Sequence, residues 1–199
     1  MKKPLDSVEY LLSEADPARL TPCGGEIAFA GRSNVGKSSL LNALCRKTLA
    51  RVSGKPGRTR TINVFLAGFD RWLVDLPGYG FACGPQAERA RWQAMIEGYL
   101  VGRPSMRRVY VLIDAKAGPT DLDRKMLEWL EFKRLPWSVA ATKADQVQSS
   151  RALIRRRETA EAMGLRAEDI AWTSAASGLG INALRAEVNA ALGASPELY

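Results

Sequence analysis

The chain contains no histidine. That absence excludes Ser–His and Cys–His nucleophile pairs and imidazole-ligated metals. Cysteine is scarce: Cys23, Cys45 and Cys83 are odd in number and far apart. Neither a disulfide framework nor a thiolate metal site fits that spacing, and a reducing cytoplasm is the simplest expectation. No apolar run reaches the roughly 18 residues of a membrane span. The opening Met1–Asp6 has no apolar leader core. Acid is missing from one long stretch. Residues 27–69 hold no Asp or Glu but eight basic residues, Arg32, Lys37, Arg46, Lys47, Arg51, Lys55, Arg58 and Arg60. The net charge is +8, so the rest of the chain balances at 21 basic against 21 acidic residues. The whole excess therefore sits in one segment. Part of it is expected to face a bound anion, and the remainder, above all 46–60, either a polyanion such as RNA or solvent.

That segment contains Gly31-Arg32-Ser33-Asn34-Val35-Gly36-Lys37-Ser38, a complete G-x-x-x-x-G-K-S loop. It follows an apolar run, 27–30, that reads as a buried strand, and it precedes a helical pattern. The glycines let the backbone curl so that successive N–H groups point at phosphate oxygens. Lys37 supplies charge near the β- and γ-phosphates, and the Ser38 hydroxyl can ligate Mg²⁺.

Short apolar runs alternate with amphipathic stretches, the pattern of a mostly parallel sheet covered by helices. Strands are expected over 26–30, 62–67, 71–75, 108–113, 137–141 and 170–172, and helices over 37–46, 86–100, 121–133, 150–163 and 181–192. Thr120 and Asp123 have the spacing of a capping box. The expected fold is α/β, a three-layer, Ras-like P-loop domain with a six-stranded mostly parallel sheet and about five helices. Residues 1–22 read as a lead-in, 23–195 as the domain and 196–199 as a tail. The length leaves little for a second domain, and no internal repeat or low-complexity tract is present.

Three further motifs follow strands in order. In Asp75-Leu76-Pro77-Gly78, the Asp can hold Mg²⁺ and the Gly78 N–H can meet a γ-phosphate. In Thr142-Lys143-Ala144-Asp145, the Asp can accept hydrogen bonds from guanine N1–H and the 2-amino group. Adenine lacks both donors and would leave a carboxylate unpaired. In Thr173-Ser174-Ala175, a backbone N–H can meet guanine O6. In this order the four resemble a translation-factor-type small GTPase. The resemblance makes 47–61 the first switch, and Gly57, Arg58, Thr59, Arg60 and Thr61 part of the nucleotide site. Thr59 becomes the Mg²⁺-ligating, γ-phosphate-sensing residue, with Thr61 as the alternative. Lys37, Thr59 and Gly78 would then serve hydrolysis; Ser38, Thr59 and Asp75 would serve the metal.

With Lys55-Pro56-Gly57-Arg58-Thr59 and Asp75-Leu76-Pro77-Gly78-Tyr79-Gly80-Phe81-Ala82, the chain resembles the EngB family of bacterial ribosome-biogenesis GTPases from about residue 22 to about 190. The resemblance implies GTP/GDP and Mg²⁺ as ligands, a role in assembling the large ribosomal subunit, and a link to cell division and septation. A pre-ribosomal large subunit or its rRNA is the implied partner, with no DNA, no membrane span and a monomeric state expected. Two departures carry expectations. Thr142 replaces the usual Asn that ties the base-recognition loop to the phosphate loop, so looser nucleotide binding is expected. Tyr79 stands where many GTPases place a water-orienting Gln. A phenol with pKa near 10 is a poor base at neutral pH, so slow intrinsic hydrolysis is expected. The other readings of Tyr79 are packing and RNA stacking. Asn34 either binds K⁺ beside the β–γ bridge or bonds the first switch. The rival functions are a small-molecule kinase or ATPase, which would not need the guanine motifs, and a basic RNA-binding scaffold that holds guanine nucleotide structurally.

Overall fold

A computed structural model describes residues 3–49, 61–79 and 86–193. In chain order the main elements are β1 (Val8–Glu14), β2 (Glu26–Gly31), α1 (Lys37–Cys45), β3 (Ile62–Ala67), β4 (Trp72–Asp75) and α2 (Gln86–Leu100). Then come β5 (Met106–Asp114), α3 (Asp121–Phe132), β6 (Trp137–Thr142), α4 (Ala152–Met163), β7 (Ile170–Trp172) and α5 (Ile181–Gly193). The strands form one sheet in the order β1-β3-β4-β2-β5-β6-β7. The β1–β3 and β3–β4 pairs are antiparallel, and the others are parallel.

Strand alternation builds the layers. Successive side chains of a strand point to opposite faces. On β5, Val109, Val111 and Ile113 therefore enter the core beneath α2, α3 and α4, while Tyr110 and Leu112 enter the core beneath α1 and α5. On β2, Ala28 and Ala30 take the first face, and Ile27 and Phe29 the second. Phe29 and Tyr110 stack across the strand pair with ring centroids 5.5 Å apart. Burial on both faces explains why β2 and β5 read as unbroken apolar runs. Each fully buried Leu, Ile or Phe here contributes about 1.5–3 kcal/mol relative to exposure.

The sheet has seven strands rather than the six expected, because part of the stretch read as a lead-in pairs with β3 as β1. Its approach is fixed by α5. The Leu5 N–H donates to Asn189 Oδ1 at 2.9 Å, and Arg185 donates to the Leu5 carbonyl and to Asp6. Among the described residues, no helix is long and apolar enough to cross a membrane.

At the amino ends of the strands, Glu26 is fully buried. It accepts hydrogen bonds from the Tyr99 hydroxyl, from Arg103 Nε at 2.5 Å and from Ser105 Oγ at 2.5 Å. Arg103 Nη1 and Nη2 donate to the Leu20 and Thr21 carbonyls, and its guanidinium lies over the Tyr99 ring at 4.8 Å. The opposite, carboxyl ends of β2, β4, β5 and β6 gather Gly31, Asp75, Asp114 and Thr142 along one edge. β2, with β4 on one side and β5 on the other, is where strand order reverses, the usual place for a ligand crevice in such sheets.

Candidate nucleotide-binding site

The phosphate loop connects β2 to α1. Gly36 takes φ +99°, a left-handed value that a side chain rarely adopts, and Asn34 takes φ +63°. Such alternation turns N–H groups inward and makes an anion nest at the head of α1. Val35 is buried beneath the loop, and Lys37 opens the helix with its side chain largely buried. The Lys37 ammonium pairs with Asp75 Oδ1, and Asn63 Nδ2 donates to Asp75 Oδ2 at 3.5 Å. Asn63 stands opposite Asp75 in the β3–β4 register. The cation for a phosphate and the carboxylate for a metal thus sit side by side. Ser38 and Asp75 are hard oxygen donors of the kind Mg²⁺ takes, so the residues present fit that ion.

Gly78 lies against this loop. A Cβ built on it would meet Ser33 N at 3.0 Å and the Gly31 carbonyl at 3.2 Å, so a side chain here would push on the loop backbone. Its neighbour Tyr79 turns away from the crevice and is buried. The Tyr79 hydroxyl donates to Asp123 Oδ1 at 2.6 Å, and its ring meets Trp92 edge-on at 6.1 Å. Burial, then the Asp123 charge, pushes the phenol pKa well above its ordinary value. Packing is thus the observed role, and no base function fits. Trp92 Nε1 donates to the Pro77 carbonyl at 3.0 Å, holding the same turn from α2. Asp123 also closes the capping box with Thr120, as expected from sequence. Arg32 Nε lies 3.6 Å from Asp123 Oδ2.

The base side is held differently. Thr142 Oγ1 donates to the Val35 carbonyl at 2.5 Å, with the Ile113 carbonyl at 3.1 Å. The hydroxyl therefore keeps the tie between base loop and phosphate loop, and the expected loosening finds no support in the geometry. Lys143, at φ +55°, donates to the Asn34 carbonyl and to Asp114 Oδ2, both at 2.7 Å. Burial opposes the Asp114 carboxylate, but Lys143 and the Ala117 and Lys116 N–H groups outweigh it and hold its pKa below the ordinary value. The Thr173 carbonyl accepts the Ala144 N–H at 3.0 Å. Between these loops lies a cavity of about 500 Å³, lined by Gly36, Lys143, Asp145, Thr173 and Ala175 among others. Of the third motif, Ser174 does not line it; its N–H donates to the Leu179 carbonyl and its Oγ accepts the Ser177 N–H.

The structure thus brings Gly31–Ser38, Asp75, Gly78, Thr142–Asp145, Thr173 and Ala175 to one edge of the sheet. Thr61 hydrogen-bonds Asn63 at 3.4 Å. Gly57, Arg58, Thr59 and Arg60 lie outside the described residues, as do Gly80, Phe81 and Ala82. Sequence reading missed Asp114, Asn63 and Asp123 as parts of the site. Asp114 had a signal, a carboxylate ending the apolar run of β5; Asn63 and Asp123 had none beyond their place on a strand and in a cap.

A phosphate loop of this geometry, with a cavity beside it, defines a P-loop nucleotide-binding protein. Residues 26–143 match the family model described as 50S ribosome-binding GTPase. Two relatives carry the description "Probable GTP-binding protein EngB". That of Pelotomaculum thermopropionicum is 46% identical over 83% of this chain and 84% of its own. That of Geobacter sulfurreducens is 40% identical over 98% of this chain and 96% of its own. A crystal structure of a probable GTP-binding protein EngB superposes with TM-score 0.68 at 25% identity, over 84% of this chain and 98% of that one. Era in complex with MgGDPNP and nucleotides of 16S ribosomal RNA shares the fold at TM-score 0.65 and 22% identity, over 90% of this chain and 60% of that one. The chain belongs to the EngB family of GTP-binding proteins and is a GTPase.

Proposed function

We propose that this GTPase is a guanine-nucleotide switch acting in assembly of the large ribosomal subunit, with a consequent link to cell division and septation. The observation that carries the nucleotide half is the cavity that joins Asp145 and Ala175 to the phosphate loop through Thr142 and Lys143. Asp145 reads the guanine edge, the Ala175 N–H meets O6, and the 31–38 backbone with Lys37 holds the phosphates. Gly78 and Thr59 answer to the γ-phosphate, so hydrolysis releases both segments. Ser38, Thr59 and Asp75 would hold Mg²⁺, which would supply charge neutralisation to the phosphates. Asn34 gives K⁺ a place beside them, which turnover in KCl against NaCl at equal ionic strength tests. Intrinsic hydrolysis is slow, because Tyr79 points into the core rather than at water. Rapid single-turnover hydrolysis by the isolated protein would contradict that.

The ribosomal half rests on the family description and on charge. Arg46 and Lys47 are exposed, and Arg51, Lys55, Arg58 and Arg60 continue the run beyond the described residues. These cations meet the phosphates of a pre-ribosomal particle in the cytoplasm, reached by a monomer of which 23–195 is the working domain. Competition of GTP and ATP against a fluorescent guanine nucleotide tests the ligand, with strong competition expected from GTP only. Co-sedimentation with large-subunit particles tests the partner: the GTP-analogue form is expected to bind and the GDP form to dissociate. Equal binding of both forms would refute the switch.

A further inference from the structure

Asp123 sits in the first turn of α3 with no exposed surface. A carboxylate taken wholly out of water needs its charge answered by hydrogen bonds and a cation. Oδ2 accepts from the Thr120 N–H and Thr120 Oγ1, both at 2.7 Å, which close the cap. Oδ1 accepts from Tyr79, the residue directly after the turn glycine. The cation is Arg32 of the phosphate loop, whose Nε approaches Oδ2 at 3.6 Å, outside normal hydrogen-bond range. That Nε is buried and has no hydrogen-bond partner. Asp123 Oδ2 is short of contact with it by about 0.6 Å, taking ~3.0 Å as the ordinary N–H···O length.

Three pieces of the site therefore meet at one carboxylate: the phosphate loop, the turn of Gly78 and the start of α3. Gly78 is wedged against Ser33 N and the Gly31 carbonyl on its other side. A shift of the Gly78–Tyr79 turn as a unit relative to the phosphate loop bears on the Tyr79–Asp123 bond or on the Asp123–Arg32 approach. A displacement of that size either completes the Arg32 bond or lengthens it, so the two arrangements differ by a charge-assisted hydrogen bond. We infer that Asp123 is a positioning residue for γ-phosphate recognition, anchoring the Gly78–Tyr79 turn through the Tyr79 hydroxyl while drawing the phosphate loop in through Arg32. This goes beyond the family's nucleotide motifs and rests on the GTPase reading. The groups facing Asp123 come from α3's cap, from the 76–79 turn and from the phosphate loop.

The test compares affinities for fluorescent GDP and a fluorescent non-hydrolysable GTP analogue in the full chain. Tyr79→Phe removes one oxygen and keeps the packing ring. It is expected to lower the GTP-analogue to GDP affinity ratio by about tenfold, the worth of a hydrogen bond to a charged group. Asp123→Asn, which removes the charge facing Arg32, is expected to do the same, and the double variant to do no more than either alone, since each breaks the one chain from Tyr79 through Asp123 to Arg32. Thr120→Ala removes the Oγ1 bond to Asp123 but leaves the Thr120 N–H, Tyr79 and Arg32 in place: it should lower the melting temperature and change the ratio far less than Tyr79→Phe does. Tyr79→Phe with an unaltered ratio, equal weakening of both nucleotides, full additivity, or a Thr120→Ala shift as large as that of Tyr79→Phe would each overturn the anchor. Wild-type protein that bound neither nucleotide would instead overturn the GTPase reading itself.

Discussion

Two buried carboxylates, one at each end of the sheet, are built from the same parts and finished differently. Glu26 at the amino end and Asp123 at the carboxyl end each accept a tyrosine hydroxyl, each bond a serine or threonine, and each face an arginine. Around Glu26 the arginine is closed in at 2.5 Å, and its Nη1 and Nη2 each reach a carbonyl. Around Asp123 the arginine stands at 3.6 Å with a donor unmet. A saturated cluster has one low-energy arrangement and serves stability. A cluster with a donor in reserve has a second arrangement close by, and it lies where a nucleotide must be sensed.

The sharpest way to break the comparison is at Glu26. Glu26→Ala leaves Arg103 buried beside Tyr99 without its carboxylate. The expected cost is about 3–5 kcal/mol of unfolding free energy, the usual penalty for orphaning one member of a buried pair. Urea denaturation with saturating GDP measures it. The GTP-analogue to GDP ratio should stay at the wild-type value, because the site lies at the far end of the strands. A changed ratio would mean that the two ends are coupled and the contrast fails.

Gly78→Ala probes the other end. The added Cβ would press on the backbone of Ser33 and Gly31, and backbone cannot swing aside as a flexible side chain can. Overpacking of this kind costs about 1–3 kcal/mol. Here it should appear as weaker GTP-analogue binding, with GDP binding less affected, in the same titration. Equal loss of both nucleotides would show that the Gly78 contact shapes the phosphate loop without discriminating the γ-phosphate.

Alkali treats the two clusters alike, and that sharpens what separates them. Burial first, and the neighbouring carboxylate second, raise both the Tyr79 and Tyr99 phenols well above their ordinary pKa. In the unfolded chain these phenols ionise near pH 10 while the folded chain keeps its protons. Stability is therefore complete below that pH and falls as pH rises past it, by about 1.4 kcal/mol per pH unit for each phenol. Tyr79→Phe and Tyr99→Phe should each flatten the alkaline slope by one proton's share. A slope unchanged by either substitution would contradict its burial as a neutral donor.

Much of this was legible before any geometry. The strands β2, β4, β5 and β6 are apolar runs because strands paired in parallel inside the sheet are buried on both faces, and the Thr120–Asp123 cap was readable from spacing alone. β1 was not. Of Val8–Glu14 only Val8 is buried, so no alternation marks the segment; its strand state comes from pairing with β3 and from Arg185 and Asn189, both some 180 residues away in sequence. The motif residues could be assigned to phosphate or base by order, since each follows a strand that ends at one edge. The partners that hold them could not. Nothing in the sequence says that Tyr79 meets Asp123, that Asn63 meets Asp75, or that Lys143 meets Asp114, because such meetings depend on strand register and helix placement rather than on local pattern.

The smallest expected effect lies on the base side, where the tie is neutral. Thr142→Val keeps shape and removes the hydroxyl that bonds the Val35 carbonyl. A neutral hydrogen bond contributes about 0.5–1.5 kcal/mol net, and the buried carbonyl it leaves unmet adds to the loss. The Lys143 bond to the Asn34 carbonyl remains, so the two loops stay joined by one link in place of two. Release of fluorescent GDP should quicken several-fold, with GTP-analogue release quickened by the same factor, since the γ-phosphate is not near this tie. Thr142→Asn, which can reach the phosphate loop with an amide, should return release towards the wild-type rate. If Thr142→Val leaves release unchanged, the hydroxyl is incidental and Lys143 alone joins base loop to phosphate loop. If instead it slows GDP and not the GTP analogue, nucleotide discrimination is not confined to the Asp123 end, and the division between a rigid base side and an adjustable phosphate side is wrong.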